Sequence, residues 1–260
     1  MELVFNEFGP KHGKPVVLLH GFPMDSRIWQ GRAGVSGVVE RLVGRVITVD
    51  LFGFGRSTNS QPFTIDSVAI ELHRKLKEMN ALPCVLAGLS MGGYLALSFA
   101  AQFPQDLAGL VLIDTKAVAD DPQQKQARDQ MIQLVRSRGM AAVADQMQPR
   151  MFAAGVDPMV ERWFREIMLS CSPVAIEHAV AAMRDRSDHT ATFAKLKCPR
   201  LILVGEEDRI TPPAIAMQMQ KQSPGAESIV FCGAGHMAPI EQPEQVAFAI
   251  GFFRERRIPQ

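Results

Sequence analysis

The sequence holds no run approaching the ~18 apolar residues that a membrane-spanning helix needs, so no membrane partner is expected. Neither sign of charge dominates: 28 Lys and Arg stand against 27 Asp and Glu, a net charge of +1. Such a balance creates no overall field to attract nucleic acid or an anionic surface. The one dense basic cluster, Arg254, Arg256 and Arg257, fits the last turn of a final helix, where cations complement the helix dipole. The four cysteines, Cys84, Cys171, Cys198 and Cys232, show neither CxxC nor any other metal-ligand spacing, and no metal is expected. Cys84 and Cys232 fall in apolar strand-like runs, where cysteine acts as a small hydrophobe. The first residues, Glu2-Leu3-Val4-Phe5-Asn6, lack a basic segment followed by a long apolar one, and a reducing, cytoplasmic setting is the expectation. Tyrosine is almost missing; Tyr94 is the only one.

What is present is ordinary for a globular protein, with 47% hydrophobic and 21% charged residues over 260 positions. That length can bury a large core as one domain with an inserted subdomain. Short, continuous apolar runs recur at Val16–Leu19, Val46–Val49, Val85–Ala87, Leu110–Ile113, Leu201–Val204 and Ser228–Phe231. They lack period-2 alternation, which predicts strands buried on both faces. Between several of them lie helical segments, clearest at Asp66–Asn80, Met91–Phe103, Pro212–Gln222 and Pro243–Arg256. Strand alternating with helix predicts an α/β fold, a doubly wound, mostly parallel sheet covered on both faces. Leu3–Phe8 can add an antiparallel edge strand. The alternation breaks once, from about Lys116 to Leu196, where Pro122, Pro149, Pro158 and Pro173 divide a helical stretch into about four helices. The expected division is a core of residues 1–115 and 197–260 and an all-helical cap of residues 116–196. An insertion at that point sits over the carboxyl edge of the sheet, where such folds bind ligands.

Gly88-Leu89-Ser90-Met91-Gly92 follows one strand run and opens a helix. A strand that turns sharply into a helix strains the serine backbone and leaves no room for side chains two residues to either side, so glycines are required there. Ser90 is therefore the candidate nucleophile, and a serine hydroxyl needs a base. Of the six histidines, only His236 lies in a loop directly after a late buried strand, in Gly233-Ala234-Gly235-His236-Met237. His73 is placed in a polar, solvent-facing helix, His178 and His189 in the cap, and His12 in a turn. A carboxylate must fix the histidine tautomer. Asp208, after the run Leu201–Val204, is the leading candidate, with Asp114, Glu206 and Glu207 as rivals on the same edge. Two backbone amides, those of Met91 and Phe22, are placed to receive an oxyanion. Pro23 has no N–H to give, and His20 is read as a brace for its loop. Asp50–Ser57 mimics a dinucleotide loop, but Thr58 stands where the third glycine would be, so no nucleotide cofactor is expected.

Taken together, His20-Gly21-Phe22-Pro23, the Asp50–Ser57 turn, Gly88–Gly93, Asp208 and Gly235-His236 resemble the α/β-hydrolase superfamily, and the order Ser, Asp, His matches it. Gly88–Tyr94 and Asp114–Ala117 are most similar to small bacterial carboxylesterases and to the 3-oxoadipate enol-lactonase and carrier-protein methyl-esterase groups. The resemblance implies an α/β-hydrolase fold and cofactor-free acyl transfer. Dehalogenases and epoxide hydrolases of this fold use an Asp nucleophile, and the latter also present cap tyrosines. Hydroxynitrile lyases place Lys after the histidine and carbon–carbon hydrolases often Trp, whereas Met237 stands here.

The expected activity is hydrolysis of small, apolar carboxylic esters through an acyl-enzyme on Ser90, with a small-molecule ester as the partner. Enol-lactone hydrolysis, carbon–carbon bond hydrolysis and perhydrolysis remain open on the same residues, as does a ligand receptor on a hydrolase fold. Methionine adapts to irregular apolar shapes. Met131, Met151, Trp163, Phe164 and Met237 are the residues expected to line the substrate pocket.

Overall fold

The computed structural model describes residues 2–32, 35–58 and 61–258. Seven strands form a single sheet: Val4–Phe8 (β1), Val16–Leu19 (β2), Val46–Asp50 (β3), Cys84–Leu89 (β4), Leu107–Ile113 (β5), Arg200–Gly205 (β6) and Ala226–Phe231 (β7). Their spatial order is β1-β3-β2-β4-β5-β6-β7. β2 to β7 pair in parallel, and β1 pairs antiparallel with β3, Val4 opposite Asp50. β4 is buried along its whole length, as its central position and unbroken apolar sequence require.

The six sequence runs thus become the six parallel strands, and the edge strand forms where Leu3–Phe8 suggested. One expectation fails. Ile229 and Val230 in β7 are 39% and 45% exposed, because β7 is the last strand and has no neighbour on one side. Cys232, one residue beyond β7, is likewise exposed and does not serve as a buried hydrophobe.

The helices are Ile65–Glu78 (α1), Met91–Gln102 (α2), Pro122–Met147 (α3), Pro158–Leu169 (α4), Pro173–Arg184 (α5), Thr190–Lys195 (α6), Pro213–Gln222 (α7), Ala238–Glu241 (α8) and Pro243–Arg257 (α9). α1 begins at a reciprocal cap: the Thr64 side chain accepts from the Ser67 amide while Ser67 accepts from the Thr64 amide. Its buried stripe, Ile65, Val68, Ala69, Leu72 and Leu76, packs beside α2 in the apolar cluster that also holds Ile47 and Val49 of β3. α2 differs, being buried all round from Met91 to Ala100, as a helix enclosed between sheet and neighbours must be. α3 to α6 lie in the chain between β5 and β6. Prolines 122, 158 and 173 each occupy the first turn of a helix, where their missing N–H has no intrahelical partner to lose. α3 contains a break at Gly139, at φ 68°. α3 packs against α4 and α5, whereas α6 packs on α2 and α7. Among the described residues no helix is long and apolar enough to cross a membrane.

Two neighbouring positions on α1 separate burial from propensity. Leu72 is fully buried and Ile70 is 53% exposed. Leu72→Ala is expected to lower stability by about 2–5 kcal/mol through transfer and cavity costs. Ile70→Ala is expected to stay within about 0.5 kcal/mol. Denaturant unfolding of both variants checks the orientation of the helix.

Candidate active site

Four strands in a row, β4, β5, β6 and β7, deliver their following loops to one edge of the sheet, and hydrogen bonds tie each loop to the next. Ser90 ends β4 with φ 51°, a left-handed conformation that a side chain rarely adopts. The crowding that sequence reasoning expected is present. A methyl group on Gly88 would lie 2.2 Å from the Gly92 carbonyl oxygen, and one on Gly92 would lie 2.4 Å from that of Leu19. The turn is held by the Ser90 amide donating to Ile113 O (2.9 Å) and by Thr115 Oγ1 donating to Ser90 O (2.8 Å). From β5 the chain passes to Asp114, whose Oδ1 accepts the amide of Gly205 at the end of β6 (2.8 Å). Beyond β6, the Glu207 amide donates to Ala234 O (2.8 Å), in the loop that carries His236.

The series ends in a buried pair. His236 Nδ1 lies 2.8 Å from Asp208 Oδ2, with the two residues 1% and 3% exposed. An ionised carboxylate only accepts, so Nδ1 carries a proton and Nε2 is the nitrogen turned away from Asp208. Asp208 also accepts from the amides of Ile210 and Thr211 and from Thr211 Oγ1, at 2.7, 3.0 and 2.7 Å. Burial alone would raise this carboxyl. The charge of His236 and the hydrogen bonds from His236 and Thr211 together outweigh burial and hold it well below the usual carboxylate range. The rivals are engaged elsewhere: Glu206 with the Gly233 amide, Glu207 with the Ala154 amide, and Asp114 with Gly205.

The loop after β2 borders Ser90 on its other side, since a methyl group on Gly21 would meet Ser90 Cβ at 3.2 Å. His20 is fully buried. Its Nε2 accepts the Leu51 amide (3.0 Å), which leaves Nδ1 to donate to Gly21 O (2.8 Å). Burial depresses its pKa, and a ring with both nitrogens engaged is a brace. Asp50 holds the neighbouring turn, accepting the Ser26 amide at Oδ1 and the Arg56 amide at Oδ2. Among the described residues, the amides of Phe22 and Met91 have no hydrogen-bond partner.

The five expected pocket residues do not gather in one cluster. Met151, Phe164 and Met237 are fully buried in the apolar cluster that also holds Phe152 and Met168, and Trp163 packs against it. Met131 packs against the other cluster, with α1, α2 and α5. His73 is also not solvent-facing: it stacks on Phe103 at 3.8 Å and pairs with Asp106 at 2.8 Å. Helical periodicity could not reveal the partner from the turn after α2.

Three residues that hold the site escaped sequence reasoning. Thr115 and Thr211 are described above. Glu241 accepts the Gly235 amide (2.9 Å) and the Ala153 amide (2.7 Å), clamping the His236 loop to the segment after α3. Thr211, three residues after Asp208, had a local signal in the capping-type spacing; Glu241 had none. Among the described residues no group of three or more His, Cys, Asp or Glu side chains is placed to hold a metal ion.

A seven-stranded, mostly parallel sheet with flanking helices defines an α/β-hydrolase architecture. The Alpha/beta hydrolase family matches residues 16–249, and the chain belongs to it. It is 29% identical over 251 residues to the AB hydrolase superfamily protein YisY of Bacillus subtilis, covering 93% of this chain and 92% of that one. It is 28% identical to a pimeloyl-[acyl-carrier protein] methyl ester esterase of Nitrosomonas europaea, with 90% and 93% covered. Among solved structures, a thermophilic esterase from Thermogutta terrifontis superposes with a TM-score of 0.90 at 35% identity, covering 99% of this chain and 94% of that one. An enol-lactonase from Burkholderia xenovorans, at 23% identity and a TM-score of 0.87, shares the fold.

Asp208 gives acid stability a defined sign. Its folded pKa lies below the unfolded value of about 3.9, so its ionised form contributes stability above about pH 4 that is lost as pH falls through the folded value. Wild-type stability is expected to fall more steeply than that of Asp208→Asn between about pH 5 and pH 2. Denaturant midpoints measured across that range check this, and parallel curves would contradict it.

Proposed function

We propose that this chain is a serine hydrolase that cleaves small carboxylic esters through an acyl-enzyme on Ser90. The observation that carries the reading is the buried Asp208–His236 contact at 2.8 Å, on the sheet edge that also presents Ser90 in a strained turn. Nε2 of His236 is the atom that takes the Ser90 proton as the hydroxyl attacks the ester carbonyl. Asp208 then stabilises the imidazolium that forms. The carbonyl oxygen becomes an oxyanion held by the Phe22 and Met91 amides, each a donor worth about 2.7–4 kcal/mol of barrier in comparable sites. His236 returns the proton to the leaving alcohol. Water, activated by the same ring, then breaks the Ser90 ester and releases the acid.

The helices of residues 116–196 act in this reading as a cap over the site. Met151, Phe164 and Met237, with Trp163 at their edge, form the buried apolar packing that seats these helices beside the His236 loop. That an esterase stands both among the curated relatives and among the solved structures favours ester substrates. The organic substrate needs no cofactor in this chemistry.

Ser90→Ala and His236→Ala are each expected to lower turnover of p-nitrophenyl butyrate by about 10⁶-fold, since residues that act as a unit fail together. A fluorophosphonate probe is expected to add its mass to the peptide containing Ser90 and to no peptide of the Ser90→Ala variant. Unchanged hydrolysis in either variant, or a label elsewhere, overturns the proposal.

A further inference from the structure

Asp114 is the one rival acid that lies inside the site without touching the imidazole. It follows β5 in the left-handed region, at φ 44°, and is 1% exposed. Such a conformation is unfavourable for a residue with a side chain, so its neighbours must hold it there. Its amide donates to Leu203 O (2.9 Å) and its Oδ1 accepts from the Gly205 amide (2.8 Å), so its backbone and side chain both grip β6. Its Oδ2 is buried and meets no donor among the described residues. The Asp208 loop closes on the same residue that Asp114 holds: the Gly205 amide donates to Asp114 and the Asp208 amide donates to Gly205 O (3.2 Å), which sets the two carboxyls side by side in the chain's fold.

An anion cannot sit against an anion in a buried space without a cation between them. Asp208 from the loop after β6 and Glu241 from α8, both acidic, oppose a charge on Asp114. One arrangement satisfies all the atoms: Asp114 keeps its proton, and an O–H replaces the missing donor.

The geometry points to Asp114 as a positioning residue, a neutral carboxyl that accepts the Gly205 amide at Oδ1 and presents its proton from Oδ2 to Asp208. Burial first, and then the neighbouring charge of Asp208, push Asp114 well above the usual carboxylate range, against the opposing Gly205 hydrogen bond. The consequence rests on the serine-hydrolase reading above. With Asp114 neutral, the cluster of Asp114, Asp208 and His236 carries one negative charge at rest and none when the imidazolium forms. A second negative charge would stabilise the imidazolium further and raise the pH at which His236 becomes a usable base. Asp114 thus fixes the loop that carries Asp208 and adds no charge to it.

The test pairs a spectroscopic readout with kinetics. Infrared spectra of the wild type at neutral pH are expected to show a protonated-carboxyl C=O band that Asp114→Asn removes. The band is expected to move in Asp208→Asn, because its hydrogen-bond acceptor has changed. A purely structural Asp114 would show no such coupling. For p-nitrophenyl butyrate, Asp114→Asn keeps a donor and an acceptor, so kcat stays within about threefold and the acid limb of kcat/KM stays in place. Asp114→Ala loses both bonds, and kcat is expected to fall about tenfold or more with little change in KM. Absence of the band, a band indifferent to Asp208→Asn, or an acid limb that moves to lower pH in Asp114→Asn overturns the inference. Fluorophosphonate labelling of Ser90 in the same preparations separates the two readings. An unlabelled Ser90 removes the proposed reaction and the positioning role with it. A labelled Ser90 without the band removes the role of Asp114 alone.

Discussion

A carboxylate can stay ionised in a protein interior only when donors surround it, and this constraint organises the carboxyl edge of the sheet. Asp208 is 3% exposed and accepts from two amides, one hydroxyl and one imidazole. Removing water from an unpartnered carboxylate would cost several kcal/mol. The hydrogen bonds offset that cost and, in doing so, fix the imidazole in one tautomer. Orientation of His236 and ionisation of Asp208 are therefore one physical fact. Everything else at this edge holds that pair where the chain can reach it.

The holding is done by neighbouring loops in sequence across the sheet. Thr115 joins the β5 loop to Ser90, Asp114 joins β5 to β6, Glu207 joins the β6 loop to Ala234, and Glu241 joins the His236 loop to Ala153. Each tie engages a backbone group near the end of a strand, and the Ser90 carbonyl accepts Thr115 in addition to the amides of Gly93 and Tyr94. A parallel sheet makes this possible because its strands all end on the same side. The order β4-β5-β6-β7 makes each pair of tied loops adjacent. Residues as distant in sequence as Ser90 and His236 thereby belong to one bonded frame.

The parts of this arrangement that depend on local chemistry were legible in the sequence, and the parts that depend on long-range contact were not. The apolar runs give the six parallel strands because burial on both faces leaves an unmistakable composition. β7 kept that composition although its edge position leaves Ile229 and Val230 open to solvent, since a residue's sequence does not record whether a neighbouring strand exists. Gly88 announces a tight turn because its exclusion acts within four residues, against the Gly92 carbonyl, whereas Gly92 is crowded by the Leu19 carbonyl at the end of β2. His73 and Glu241 were unreadable for the opposite reason: their partners, Asp106 and the amides of Gly235 and Ala153, are defined by packing. Adaptable methionines carried the weakest signal. Met131 and Met151 look alike in sequence yet lie in different apolar clusters.

Asp114 and Asp208 show how position alone differentiates identical side chains. Both follow strands on the same edge, both are nearly inaccessible, and each accepts at least one backbone amide. The difference lies in the donors. Asp208 meets four, including the imidazole, and is pulled down; Asp114 meets the Gly205 amide alone, faces Asp208 and is pushed up. Two carboxyls driven apart in this way can divide the tasks of anion and neutral donor. A second ionised carboxylate would have made the site more attractive to protons in general, His236 included. Confining the negative charge to Asp208 leaves the imidazole a single anionic partner, the arrangement from which the proposed chemistry begins.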